Sequence, residues 1–245
     1  MTQLEKDREE LQKRIDESRN VVFFGGAGVS TESGIPDFRS KDGLYNQKYC
    51  YDPEEIISHH FFLQNTEEFY RFYRDRMLLL DKKPNACHLY LAQLEKKGKL
   101  KAIVTQNIDG LHQMAGSHNV IELHGSIHRN FCMECSRPYD ASFVKESPEV
   151  VPHCPHCGGI IKPDVVLYEE PLDERTMVRA MIAISEADLL IVCGTSLVVY
   201  PAAGFLNYFQ GKELVLIDKN PEATDKRATL VIHQKAGELF GGMKA

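Results

Sequence analysis

Apolar positions along the chain fall into short unbroken runs separated by longer amphipathic stretches. Leu4, Leu11 and Ile15 recur at helical spacing among charges, which predicts an amphipathic surface helix over residues 3–18. The run Val21 to Gly25 follows without polar alternation. Similar runs stand at Ala102 to Thr105, Val120 to Leu123, Leu189 to Gly194, Leu214 to Asp218 and Leu230 to His233. Unalternating runs suit strands covered on both faces, because side chains pointing either way then meet apolar neighbours. Helical patterns lie at Thr66 to Leu80, Pro84 to Lys97, Asp173 to Glu186 and Ala202 to Gln210; Gly98 stops the second and Pro201 precedes the last.

Strand and helix in repetition predict an α/β fold with a doubly wound parallel sheet. Two stretches break the rhythm. Residues 40–80 are helical and aromatic, and residues 127–162 are cysteine-bearing and irregular, so both read as insertions forming a second, smaller lobe. A chain of 245 residues is long enough for one large core with a small one beside it.

Composition changes this picture little: 43% hydrophobic and 26% charged residues are ordinary for a globular domain and leave no place for a disordered or fibrous chain. The net charge of −6 supplies no basic footprint, which argues against nucleic acid as a primary partner. Glu5 to Glu10 are charged rather than apolar, and no later run approaches membrane-spanning length, so a soluble, cytoplasmic protein with no membrane partner is expected. Seven cysteines, four of them in two close pairs, suit a metal in a reducing compartment better than a disulfide framework.

Those pairs are Cys132-x-x-Cys135 and Cys154-x-x-Cys157, with eighteen residues between them. Four thiolates at this spacing can close a tetrahedron around one Zn²⁺ per chain, and a site so filled has no open position for substrate or water, which makes the metal structural. Local disulfides or unrelated thiols are the plainer alternatives. His153 and His156 interleave the second pair and are read as neighbours of the metal rather than ligands.

The first strand runs into Gly25-Gly26-Ala27-Gly28-Val29-Ser30-Thr31, a glycine-rich turn that could hold a pyrophosphate or could serve only close packing. The ordinary dinucleotide fingerprint wants a third glycine where Thr31 stands and an acidic residue ending a second strand about twenty residues on; neither is present, which disfavours a hydride-transferring dehydrogenase. Thr105-Gln106-Asn107-Ile108-Asp109, His124-Gly125 and Gly194-Thr195-Ser196 each end a predicted strand. Asn107 and Asp109 could be no more than an Asx-type turn, and a lone histidine at a strand end is commonly structural. Their convergence on one sheet edge, where doubly wound sheets bind ligands, makes a shared site of them.

Taken in order, Gly26-Ala27-Gly28-Val29-Ser30, Gly34 to Arg39, Thr105 to Asp109, His124-Gly125, the four cysteines and Gly194-Thr195-Ser196 resemble a sirtuin, from about Val21 to the last strand. The resemblance implies a Rossmann-like NAD-binding domain of residues 1–39, 81–126 and 163–245. It also implies a small domain built from a helical module, 40–80, and a zinc module, 127–162. It implies an NAD-dependent protein-lysine deacetylase that consumes NAD as co-substrate, with acylated lysine in proteins or peptides as its partner. On the same ground Gly26, Ala27, Gly28, Thr31, Gln106, His124, Gly194, Thr195 and Ser196 contact NAD, and Phe38 and Arg39 belong to a loop covering it. Ile35, Phe38, Asn107, Ile108 and Asp109 line the nicotinamide pocket; Asp218, Lys219 and Ala236 lie toward the adenosine.

His124, with Asn107 and Asp109, is then the catalytic group. It deprotonates a ribose hydroxyl after nicotinamide has left, a task suited to an imidazole. Val165, Val166 and Tyr168 are expected to receive the acylated peptide, as an added strand. Two departures stand out. The family usually has Phe-Gly-Glu where this chain has Tyr168-Glu169-Glu170, and many relatives place Asn where Asp218 stands. Desuccinylating sirtuins carry Tyr-x-x-Arg where this chain has Tyr70-Arg71-Phe72-Tyr73; its aromatic residues read as core, so neutral acyl groups, acetyl first, are expected. A mono-ADP-ribosyltransferase would share the NAD site, and a non-catalytic zinc module would not need it.

Overall fold

The computed structural model describes residues 1–37, 43, 50–195, 202–223 and 225–245. Its larger part is a six-stranded parallel sheet in the order β3-β2-β1-β7-β8-β9. The strands are β1 (Val21–Gly25), β2 (Leu100–Thr105), β3 (Val120–Glu122), β7 (Leu189–Cys193), β8 (Glu213–Ile217) and β9 (Leu230–Ile232). Every residue of β1 and β7 is buried, as the unalternating runs predict. Val21 and Phe23 join a core under α1 (Gln3–Glu17), α5 (Ala86–Lys96) and α9 (Ala236–Phe240). Val22 and Phe24 join the opposite core, under α8 (Glu174–Glu186) and the 3₁₀ segment Ala202–Tyr208. Thr2 and Glu5 close a capping box on α1, and Arg8 bonds the Leu239 and Glu238 carbonyls at 3.0 and 2.7 Å, which seats that helix on α9.

β1 pairs with β2 on one side and with β7 on the other, so the chain winds outward from it in both directions. A crevice opens at the carboxyl ends of strands flanking such a reversal, because the connecting segments depart to opposite faces.

The segments expected to be irregular are not without order. β4 (Gly125–Cys132), β5 (Pro138–Asp140) and β6 (Ile161–Val165) form an antiparallel sheet in the order β5-β4-β6, with α7 (Ala141–Glu146) beside it. This sheet shares a third core with α2 (Pro53–Ile56), α3 (His59–Gln64) and α4 (Thr66–Phe72). Tyr70 crosses from α4 to bond the Ile161 carbonyl. The helix predicted to Leu80 ends sooner, passing at Tyr73–Met77 into a π-helical turn in which Leu78 N–H reaches back to Tyr73 O. Leading into it, one α-helical turn apart, the Phe69 and Tyr73 rings stack at 5.7 Å. The helix predicted over Ala202 to Gln210 is the 3₁₀ segment named above. Among the described residues no helix is long and apolar enough to cross a membrane.

Candidate active site

The turn after β1 folds against the turn after β7. Gly26 N–H donates to Cys193 O at 3.0 Å and Gly28 N–H to Gly194 O at 2.8 Å. A Cβ at Gly28 would stand 2.6 Å from Gly194 Cα, and one at Gly26 would stand 2.7 Å from Thr195 Cβ, so these glycines permit the two turns to touch. Close packing, the plainer of the two readings of this motif, is thus part of its role. Ala27, Gly28 and Thr31 nevertheless line the crevice.

Ser30, buried in the same turn, organises the strand-end polar groups. Its hydroxyl donates to Asp109 Oδ2 at 2.6 Å and accepts from Asn107 Nδ2 at 3.1 Å, while Asn107 Nδ2 also reaches Gly26 O at 3.1 Å. Asp109 Oδ1 accepts from Leu111 N–H at 2.9 Å, the Asx turn that the sequence allowed, at the head of α6 (Leu111–Met114). Gln106 N–H donates to Gly25 O at 2.9 Å and its side chain to Thr195 Oγ1 at 3.0 Å. His124 donates from Nδ1 to Gln106 O at 2.9 Å, which leaves Nε2 with the free lone pair. Burial holds this imidazole below its ordinary range, partly offset by that hydrogen bond, so the ring is neutral at pH 7.

These groups line one cavity of about 1030 Å³, ample for a dinucleotide together with a side chain. Ile35, Gln106, Asn107, Ile108, Asp109, His124, Gly194 and Thr195 lie in its wall, and so do Val165, Val166, Tyr168, Asp218, Lys219 and Ala236. Gly26 stands behind the wall, and Phe38, Arg39 and Ser196 lie outside the described residues. Burial raises the Asp218 carboxyl, while Lys219 Nζ pairs with Asp37 at 3.3 Å.

Sequence reasoning did not assign Arg76, Asn207, Asp225 or Arg227 to this wall. Arg227 forks between the nearby Asp225 at 2.7 Å and Asn207 of the 3₁₀ segment at 3.0 Å, and the second contact carries no local signature. Ser30 was legible as part of the glycine motif, but its partner 79 positions away was not.

At Tyr168 the chain is stitched to the α3 segment. Tyr168 N–H donates to Ile57 O and His59 N–H to Tyr168 O, both at 3.0 Å. Glu169 takes φ 76°, a left-handed conformation that glycine adopts without strain. Its carboxylate accepts from His60 N–H at 3.0 Å and meets His60 Nδ1 at 2.8 Å, contacts that offset the strain. Glu170 holds His59 at 2.8 Å and the buried Lys162 at 3.2 Å.

The four cysteine Sγ atoms gather within 4.8 Å of one another, with Cys132 to Cys157 at 3.4 Å and Cys135 to Cys154 at 3.7 Å. Tetrahedral zinc with bonds of about 2.3 Å needs sulfur separations of about 3.8 Å, so the set fits the ion. Each knuckle turns through a left-handed residue after its second cysteine, Ser136 at φ 58° and Gly158 at φ 77°. His153 pairs instead with Glu149, and none of these four cysteines lines the crevice, in keeping with a structural metal. The Tyr139 hydroxyl lies 2.9 Å from Cys154 Sγ, where a zinc-bound thiolate would accept its proton in a hydrogen bond.

The description "Sir2 family" matches residues 26–201 of this chain. The chain belongs to the Sir2 family. It is 59% identical over 233 residues to the NAD-dependent protein deacetylase of Clostridium acetobutylicum, covering 94% of this chain and 95% of that relative. Among solved Sir2 structures it is similar to a variant with a deacetylated p53 peptide and 3′-O-acetyl-ADP-ribose, at TM-score 0.87 and 38% identity over 95% of each chain. A Sir2 structure with p53 peptide and NAD⁺ follows at TM-score 0.83 and 39% identity, again over 95% of each chain. Where the family usually has glycine, Glu169 takes a left-handed turn and brings a carboxylate to it.

Proposed function

We propose that this protein is an NAD-dependent protein-lysine deacetylase, which moves the acetyl group of an acetyl-lysine side chain to ADP-ribose and releases nicotinamide. The observation that carries this reading is His124: a neutral imidazole, anchored through Nδ1 to Gln106 O, on a ring that lines the crevice with Nε2 free to take a proton. NAD supplies a ribose carbon with nicotinamide as its leaving group. Ala27, Thr31, Gln106, Thr195, Asp218, Lys219 and Ala236 would hold it along the crevice, and Ile35, Asn107, Ile108 and Asp109 at the nicotinamide end.

In this reading the chain's own groups divide the work. Asn107 and Asp109, locked by Ser30, orient the carboxamide and favour departure of the ring. His124 then removes the proton of a ribose hydroxyl, and a positioned general base of this kind contributes roughly 10²- to 10⁴-fold in rate. Val165, Val166 and Tyr168 receive the substrate chain. We assign residues 1–39, 81–126 and 163–245 to the NAD-binding domain, and 40–80 and 127–162 to a small domain that one zinc ion per chain holds together. The cytoplasm is the expected place of work, since seven cysteines without a disulfide among them suit a reducing compartment.

The test is to incubate the protein with NAD and an acetylated peptide while following peptide mass and nicotinamide together. Equal amounts of deacetylated peptide and nicotinamide are expected. Nicotinamide release with ADP-ribose joined to protein, or no NAD consumption at all, would contradict the proposal.

A further inference from the structure

Beneath the Asp109 turn lies a pair of histidines that the reaction described above does not use. His88 in α5 and His112 in α6 are 0% and 1% exposed, with ring centroids 4.7 Å apart. His88 Nδ1 accepts from Asn85 N–H at 3.2 Å, which puts its proton on Nε2. Among the described residues, His88 Nε2, both His112 ring nitrogens and the Ser117 hydroxyl have no hydrogen-bond partner. Burial keeps both rings uncharged, His88 lowered to about 4 and His112 well below its ordinary range. Each ring therefore offers one donor and one acceptor. Buried groups of this kind are satisfied by one another or by internal water.

The pair is keyed to the crevice from three sides. Asn85, which caps α5 beside His88, donates from Nδ2 to Val29 O at 2.8 Å and to Ser33 Oγ at 3.0 Å, holding the glycine-rich turn. His112 stands edge-on to Phe23 of β1 at 6.1 Å and follows Asp109 by three positions. The Asp109 carbonyl is held from outside by His128 Nε2 at 2.9 Å, while the Asp109 carboxylate stays with Ser30 Oγ and Leu111 N–H at 2.6 and 2.9 Å. An imidazolium at this place would draw that carboxylate inward. A neutral pair leaves it to Ser30 and to the crevice.

We propose that His88 and His112 are positioning residues for Asp109: a buried imidazole pair, packed ring against ring at 4.7 Å between α5 and α6, that fixes the 109–112 turn and hence the grip of the nicotinamide pocket. The inference rests on the reading that Asp109 faces nicotinamide. A polar pair has one geometry that satisfies all its groups, whereas an apolar replacement fills the space without that constraint.

The experiment compares wild type, His112→Phe and His112→Asn as zinc-loaded enzymes, with deacylation and nicotinamide inhibition measured side by side. His112→Phe is expected to raise both KM for NAD and the half-inhibiting nicotinamide concentration by about tenfold while KM for the acetylated peptide stays, and His112→Asn to recover most of the loss. No change in either NAD-linked quantity, or a parallel rise in both KM values without rescue, overturns the proposal; should His112→Phe not fold, His112→Asn against wild type carries the comparison. Nitrogen NMR of the histidine rings needs no turnover: both should stay neutral from about pH 8 to about pH 5, and either ring titrating near 6.5 overturns the proposal. If wild type lacks NAD-dependent deacylation, the underlying functional reading fails instead, and the ring spectra still decide the pair.

Discussion

His124 Nδ1 and the main-chain oxygen of Gln106 are joined across 2.9 Å, so the candidate base is tied to the end of the neighbouring strand rather than to its own. The bond fixes both tautomer and ring direction. Replacing His124 by Ala should lower kcat by about 10²- to 10⁴-fold while NAD still binds at reduced strength, since the step it serves follows nicotinamide loss. Single-turnover rates and calorimetric NAD titration check this; turnover near wild type would remove His124 from the mechanism. Burial lowers its pKa, so kcat/KM should rise with pH to a plateau whose midpoint lies below about 6.5.

Stability should follow pH in the same direction. Burial lowers His88 to about 4, His112 well below the ordinary value, and His124 more modestly. Between those folded values and an unfolded value of about 6.5, the unfolded chain binds protons that the folded chain excludes; stability is full above about 6.5 and declines as pH falls through this window. Asp173 and Asp225, whose carboxyls are held low by hydrogen bonds, add the same trend at still lower pH. Urea midpoints should be lower at about pH 5 than at about pH 7, and equal midpoints would contradict the assignment of these rings as neutral.

Cys132→Ser and Cys154→Ser should lose zinc and stability together, because structural zinc contributes roughly 10 to 16 kcal/mol of apparent binding free energy in small peptide sites. Tyr139→Phe removes only the hydroxyl that meets Cys154 Sγ, and should keep the fold while weakening zinc retention by about 10- to 100-fold. Metal analysis with chelator competition measures both. One tightly held zinc in the serine variants would overturn the assignment.

Acyl choice follows from where the nearby cations point. Arg74, the arginine next to the Tyr-x-x-Arg position, donates to Ser147 O at 3.2 Å and Glu149 O at 2.7 Å, and so is committed to the zinc module. Tyr73, at the position itself, is buried in the core. A succinyl carboxylate entering the crevice beside Tyr168 would lose water without gaining the Arg74 guanidinium as a partner. Catalytic efficiency on acetyl-lysine should exceed that on succinyl-lysine by at least about tenfold, or ~1.4 kcal/mol. Equal or reversed efficiencies at saturating NAD would point to Arg76, the guanidinium in the cavity wall near Met77 and Leu79.

Much of this was legible in the residues alone. β1, β2, β7, β8 and β9 lie where the apolar runs stand, because strands covered on both faces cannot tolerate polar positions. The four cysteines converge as their spacing requires, since a tight knuckle is a property of a few adjacent residues. The antiparallel sheet through the zinc segment was not legible: β5 is three residues long, and its pairing with Arg129 to Phe131 depends on β6 closing from the other side. The π-helical turn at Tyr73–Met77 was hidden too, because the aromatic spacing before it continues a helical pattern that packing then interrupts.

Periodicity and short spacings report local geometry directly, and so the doubly wound α/β chain, its four-cysteine module and the polar residues ending its strands could all be read along the chain. That Ser30 meets Asp109, that His124 leans on Gln106, that Arg74 faces the zinc module, and that Glu169 holds a left-handed turn against His60 is visible in the folded chain alone. Each of those depends on which strand lies beside which and on how two lobes pack. Such contacts join residues far apart in the chain, and no pattern within a window of a dozen residues encodes them.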